Sequence, residues 1–231
     1  MRSTRFLTIS LLALAAGYAT GASAANADEA GYYGAARVVF AEHKAHNMAS
    51  SARPGIGGFV PGEESSKFTT GAFALGYQFG NGWRAEGEYT LPKENTFTSG
   101  STAFPTSFNT NYIKSQRLMA NVYRDFPIID NVSVYGMAGL GISHIRSSGW
   151  QGNQGRQYVA ATQNNLTWAL GAGVAYSPMD RLTLDLGYRY ADSGKTESGW
   201  NAFGNARGLQ DEMMRADVTS SEIHLGARYR F

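Results

Sequence analysis

The residues best suited to chemistry in this sequence are charged and regularly spaced. Arg84, Glu86 and Glu88 occupy every second position, and Asp185 and Arg189 flank Gly187 at the same spacing. In an extended strand each set stands on one face. Neighbouring carboxylates of this kind could serve as a general acid and base, or line a selective channel. Arg37, Arg117, Glu222 and Arg228 fall on the matching face of other segments, which sets five arginines against four carboxylates. Inside a narrow enclosure such charges are best satisfied by one another, so a structural, salt-bridged charge network is the favoured reading.

Histidines offer a second opening. His43 and His46 stand three positions apart at the start of a polar stretch. A histidine beside Ser or Asp is the core of many hydrolases, but no Ser-x-Gly elbow or HExxH motif accompanies this pair. The spacing is a poor metal signal too, and a solvated loop explains it. With Cys 0, no disulfide or thiolate site can form. The expectation is a non-enzymatic chain with no catalytic, cofactor or metal site.

The elements that must position the charges are eight stretches of alternating apolar and polar side chains: Tyr32 to Glu42, Phe68 to Phe79, Trp83 to Leu91, about Tyr112 to Asp125, Val132 to Ile145, Leu166 to Tyr176, Leu182 to Tyr190 and Glu222 to Phe231. The seventh is the clearest, with Leu182, Leu184, Leu186, Tyr188 and Tyr190 opposed to Thr183, Asp185, Gly187 and Arg189. One oily face and one polar face suit a strand between lipid and a wet interior. Lys114 and Gln116 interrupt the oily face of the fourth and are placed above the membrane. Connections after the second, fourth and sixth stretches are short. The others are long, at about 43–67, 92–111, 146–165 and 192–219. The fold expected is all-β: an eight-stranded antiparallel transmembrane β-barrel with four long extracellular loops and short periplasmic turns. A soluble sandwich would instead turn the apolar faces inward and display the aligned charges outside.

Both ends of the chain agree with export. Arg2 and Arg5 precede an apolar run from Phe6 to Ala16, and Ala22-Ser23-Ala24 offers a small-x-small cleavage pattern. Residues 1–24 are therefore expected to be a signal peptide and 25–231 a single barrel domain. Removing Arg2 and Arg5 takes Lys+Arg from 20 to 18 against Asp+Glu 18. A near-neutral chain lacks the basic excess that nucleic-acid binding requires. The mean hydropathy of −0.29 is low for helical spans, but in a barrel only alternate residues meet lipid. At the other end, His224, Gly226, Tyr229 and Phe231 resemble the terminal signal by which outer-membrane barrels are recognised for assembly.

The strand blocks Gly71-Ala72-Phe73-Ala74-Leu75-Gly76-Tyr77, Arg84-Ala85-Glu86-Gly87-Glu88-Tyr89, Met119-Ala120-Asn121-Val122-Tyr123, Tyr135-Gly136-Met137-Ala138-Gly139-Leu140-Gly141 and Leu225-Gly226-Ala227-Arg228-Tyr229-Arg230-Phe231 resemble the opacity family of small outer-membrane barrels. That family includes the neisserial opacity proteins and the heat-resistant-agglutinin type of adhesins and invasins. The resemblance lies in the strands, whereas the loops match no particular adhesin. It implies an integral protein at the Gram-negative surface with an adhesive or envelope-structural role, and a small porin-like channel is the alternative. The partners implied are outer-membrane lipid and lipopolysaccharide, the barrel assembly machinery and a host or matrix ligand. Aromatic residues among flexible polar ones suit recognition, and Phe59, Phe104, Trp150, Trp200 and Phe203 are the candidate loop contacts. Phe97 and Phe108 lie in the same expected loops.

Overall fold

The computed structural model describes residues 30–50, 59–102, 104–205 and 207–231. The expected signal segment, 1–24, and the side chains of Phe59 and Phe104 lie outside the described part. Nine strands are described: β1 (Gly31–Ser50), β2 (Phe59–Pro61), β3 (Ser65–Gln78), β4 (Trp83–Ser101), β5 (Phe104–Ile129), β6 (Val132–Gln151), β7 (Gln157–Met179), β8 (Leu182–Glu197) and β9 (Met214–Arg230). Each long strand pairs antiparallel with the next in sequence, and β1 also pairs with β9, so eight strands close into a ring. Closure satisfies the backbone groups that lipid could not. The short β2 is an addition to the ring, pairing with the outer end of β4.

The alternation read from the sequence sets the two faces. Leu75, Leu118, Leu140, Leu166, Leu170, Leu186 and Leu225 are exposed on the outside, while Arg37, Glu86, Asn121, Arg189 and Glu222 are buried within. Tyr32, Phe79, Trp83, Tyr176, Tyr229 and Phe231 ring the end that carries the tight turns, as interface aromatics do. In one of those turns Gly80 and Gly82 adopt φ of 75° and 78°, a region open to glycine without penalty.

The strands run well past the lipid-facing belt, and there the polarity of the wall inverts. On β6, Leu140 and Ile142 are exposed, but the next outward residues are His144 and Arg146, while Ile145 turns inward and is completely buried. Ala45, Met48, Phe97, Ile113, Ile145, Ala216 and Val218 meet there in one apolar cluster. Below it the barrel is oily outside and polar inside; above the membrane it is polar outside and oily inside, like a soluble barrel. Much of the four long excursions is thus strand, although 198–213 between β8 and β9 is not. Sequence reading ended the strands where the lipid-facing stripe ended, but hydrogen bonding continues because water, not lipid, now wets the outer face.

A seam between β3 and β4 interrupts the wall, as a second does between β7 and β8, whose ladder stops at Trp168 and Asp192. The β3–β4 ladder stops at Ala72 and Thr90, while β3 stays paired with β1 as far as Ser65 and β4 with β5. Pro92 sits beside a bulge in β4 between Thr90 and Lys93, and proline cannot donate to a ladder. Side chains cover the β3–β4 seam: Thr70 donates to the Leu91 carbonyl and Ser66 to Asn95 Oδ1, both at 3.2 Å.

Candidate functional site

Inside the membrane span the lumen holds an ionic network. Arg37 on β1 donates from Nη1 to Glu86 Oε1 and to Glu88 Oε2, each at 2.7 Å. Arg189 on β8 reaches Glu88 Oε1 and Glu222 Oε2, both at 2.6 Å. Arg117 on β5 closes on Glu222 Oε1 at 2.5 Å. Phenols complete the shell, since Tyr33 and Tyr123 donate to Glu86 at 2.9 and 2.6 Å. Arg84 binds Asp125 at 2.9 Å, with its guanidinium carbon 3.7 Å from the centre of the Tyr123 ring. Glycines make the room this needs: a Cβ at Gly173 or Gly187 would collide with the Tyr135 hydroxyl, which bonds His224 Nε2 at 3.0 Å.

This geometry decides what the carboxylates can do. Glu86 and Glu88, the pair that could have formed an acid and base, face guanidinium and phenol donors and are sealed from solvent. A carboxylate held by arginines and closed off from solvent is poorly placed to act on a substrate. Asp185 lies 3.7 Å from Arg37 Nε and 3.6 Å from His224. Sequence reading missed one member, Asp125, which was taken as the end of a strand. Adding it to the four expected acids gives five carboxylates for the five buried arginines. Its position two residues after Tyr123, on the inward parity, was the available signal. Arg228 departs from the expectation that it pairs with an acid: it lies over the Tyr33 ring at 5.4 Å and its Nη1 has no hydrogen-bond partner.

Two other expectations are corrected higher in the barrel. His43 is buried, not in a solvated loop: Asn95 Nδ2 lies 3.0 Å from its Nδ1, and Phe68 packs edge-on at 4.5 Å behind the seam. Phe97, expected among the loop aromatics, is fully buried in the apolar cluster above the charges. The bulge between Thr90 and Lys93 shifts the inward parity of β4, turning Asn95 and Phe97 to the interior. Among the described residues, the ionic network and the apolar cluster occupy two successive levels of the lumen.

At the outer rim, the remaining loop candidates divide. Trp150 is half-buried, with its indole 3.3 Å from the Tyr112 hydroxyl. Phe203 is half-buried against Tyr158 at 5.5 Å and under Arg156 at 4.3 Å. Trp200 stands 51% exposed, beside exposed Val159, whose N–H donates to the Trp200 carbonyl at 3.0 Å. Phe108 and Val60 are exposed too, and a Cβ on Gly100 would touch both at 3.7 Å. The segment carrying Trp200 is tied down, because Asn201 and Glu212 exchange bonds of 2.9 and 2.7 Å and Tyr158 bridges to Asn201.

An eight-stranded ring with a lipid-facing belt fits a family comparison. The sequence matches the model of the outer membrane protein beta-barrel domain over residues 10–231. The chain belongs to this outer-membrane β-barrel family. It is similar to outer membrane protein PagN of Salmonella typhimurium, 28% identical over 174 residues that cover 70% of this chain and 72% of PagN. The 31 kDa outer-membrane immunogenic protein of Brucella melitensis is 22% identical over 171 residues, 71% of this chain and 68% of that protein. Among solved structures, Neisserial surface protein A aligns at 20% identity and a TM-score of 0.50, covering 88% of this chain and 99% of that one. OprG of Pseudomonas aeruginosa aligns at 15% identity and 0.53, covering 89% and 100%. Both share the fold. The family places this protein in the outer membrane of a Gram-negative cell, and it sets the apolar belt in lipid and the apolar cluster on the outer side.

Proposed function

We propose that this barrel is a closed, non-enzymatic surface protein that binds an external host or matrix protein through its outer rim. One observation carries the reading: Trp200, Val159, Phe108 and Val60 stand exposed on a hydrogen-bonded extension above the ionic network. Large apolar side chains held rigid in water suit the centre of a protein contact, where aromatic anchors supply most of the affinity. The porin-like alternative is disfavoured because both the ionic network and the apolar cluster lie across its path. A catalytic role is disfavoured because the buried carboxylates are engaged with one another's arginines.

The remaining assignments belong to the same proposal. Residues 1–24 serve as the export signal. His224, Gly226, Tyr229 and Phe231 present the strand to the assembly machinery. Lys114 and Arg146 stand opposite one another on β5 and β6, both exposed, four residues above the lipid-facing Leu118 and Ile142. Like charges in direct opposition are unfavourable, and a lipopolysaccharide phosphate between them offsets the cost.

The experiment is adhesion of bacteria expressing Trp200→Ala, Phe108→Ala or Val159→Ser at equal surface levels. Point changes are preferable to loop deletions, since deletion would remove strand. Binding should fall severalfold for Trp200→Ala with the barrel intact, and adhesion unchanged in all three variants would refute the reading.

A further inference from the structure

The periplasmic end of the lumen is built differently from its paired centre. Arg228 on β9 is more than nine-tenths buried, yet its Nη1 has no hydrogen-bond partner. Arg84, the neighbouring cation deeper inside, is already committed to Asp125. Arg228 borders a cleft that it shares with Arg181, Arg230, Thr183, Gln78 and Asp180. Three guanidiniums therefore converge where, among the described residues of the lining, Asp180 is the one carboxylate, and Arg230 donates to the Asp180 backbone carbonyl at 3.1 Å. The enclosed part of the cleft is about 10 Å³, room for a single oxygen-sized atom. A buried guanidinium N–H left without an acceptor is costly, and planar guanidinium forks match phosphate oxygens.

We infer that the periplasmic mouth is a phosphate-binding site, with one phosphate oxygen entering the cleft to accept from Arg228 Nη1 and the others meeting Arg181 and Arg230 at the rim. The flanking Tyr229 and Phe231 face lipid, which puts the mouth at the level of inner-leaflet headgroups. A phospholipid phosphate and free inorganic phosphate share the required chemistry.

The test uses the full chain folded in octyl glucoside, a detergent without phosphate, with unfolding followed by heat-modifiable gel migration. Sodium phosphate should raise the unfolding temperature saturably beyond sodium chloride of equal ionic strength. Arg228→Gln should abolish the increment. Arg181→Gln and Arg230→Gln, which lie at the rim and spare the interior, should shift its midpoint to about tenfold higher phosphate. If phosphatidylglycerol at a few molecules per barrel gives the same increment and free phosphate competes with it, the source is the lipid. An increment from free phosphate alone makes it soluble phosphate, and either result supports the site. No increment over chloride, or one that survives both rim substitutions unchanged, overturns it. A response seen only after Asp28→Asn and Glu29→Gln would give the cleft to the chain's own carboxylates and also overturn it.

Discussion

Arg37 of β1 and Glu86 of β4 meet across the lumen at 2.7 Å, although they are 49 positions apart in sequence. Strand β3 lies between their strands in the sheet, so the bond is a chord inside the ring rather than a contact between neighbours. Barrel closure brings the two together, and their pairing in turn braces the closed form.

Removing one side of that chord is expected to be expensive. Glu86→Gln leaves Arg37 short of an anion and weakens the acceptor for Tyr33 and Tyr123, at a cost of about 3–5 kcal/mol. Adding Arg37→Met should recover part of the loss, because removing both charges avoids an unpaired one. Urea unfolding in lipid vesicles checks both, and a Glu86→Gln barrel as stable as the parent would contradict the network's structural role.

Height along the wall should govern the cost of a new charge. Leu186→Arg, on the lipid face of β8 and 54% exposed, should cost about 2–4 kcal/mol, whereas Ala160→Arg, exposed on β7 near the outer tip, should cost no more than about 1 kcal/mol. Equal penalties in the same vesicle assay would mean that the lipid boundary has been drawn at the wrong level.

The apolar cluster above the membrane predicts a local failure. Phe97→Ala removes a fully buried ring packed with Ile113, Ile145 and Val218, a loss of about 3–5 kcal/mol to the extension. Protease added to intact cells should then cut the outer strands while the membrane-embedded part still migrates as a folded barrel. Resistance equal to the parent would argue against a separate outer core.

Phe231 should matter more to assembly than to the finished barrel. Its ring is 71% exposed, and its tie to the wall is a backbone bond to the Tyr32 carbonyl at 3.0 Å. Phe231→Ala should therefore lower the amount of folded protein in cells yet leave refolding into vesicles nearly unchanged. A parallel loss in both assays would assign the residue to stability instead.

Within the lipid belt the sequence is a faithful guide, because lipid on one side and a polar lumen on the other force period-two alternation. Leu182 to Tyr190 and Glu222 to Phe231 read directly, and so do the inward arginines. Above the belt that contrast disappears. Ile113, Ile145 and Val218 are isolated apolar residues among polar ones, and only closure of the barrel gathers them into a core. The bulge in β4 hid Phe97 by changing parity, and His43 read as a loop residue because its partners, Phe68 and Asn95, lie across the seam. Asp125 was missed because strand ends were judged by their apolar residues. For Arg228 the alternation set the inward face but not the partner, since which acids reach which arginines depends on the stagger of the strands around the ring.

Closure of the lumen can be read from planar-bilayer recordings of the purified barrel. The unmodified protein should give little or no steady conductance, because charges paired across the lumen and the apolar cluster around Phe97 both block ions. Glu86→Gln and Glu88→Gln, combined with Phe97→Ala to open the cluster above, should produce small, anion-preferring openings as Arg37 loses both glutamates and Arg189 keeps only Glu222. A robust, steady open channel in the unmodified protein would instead make the barrel a pore.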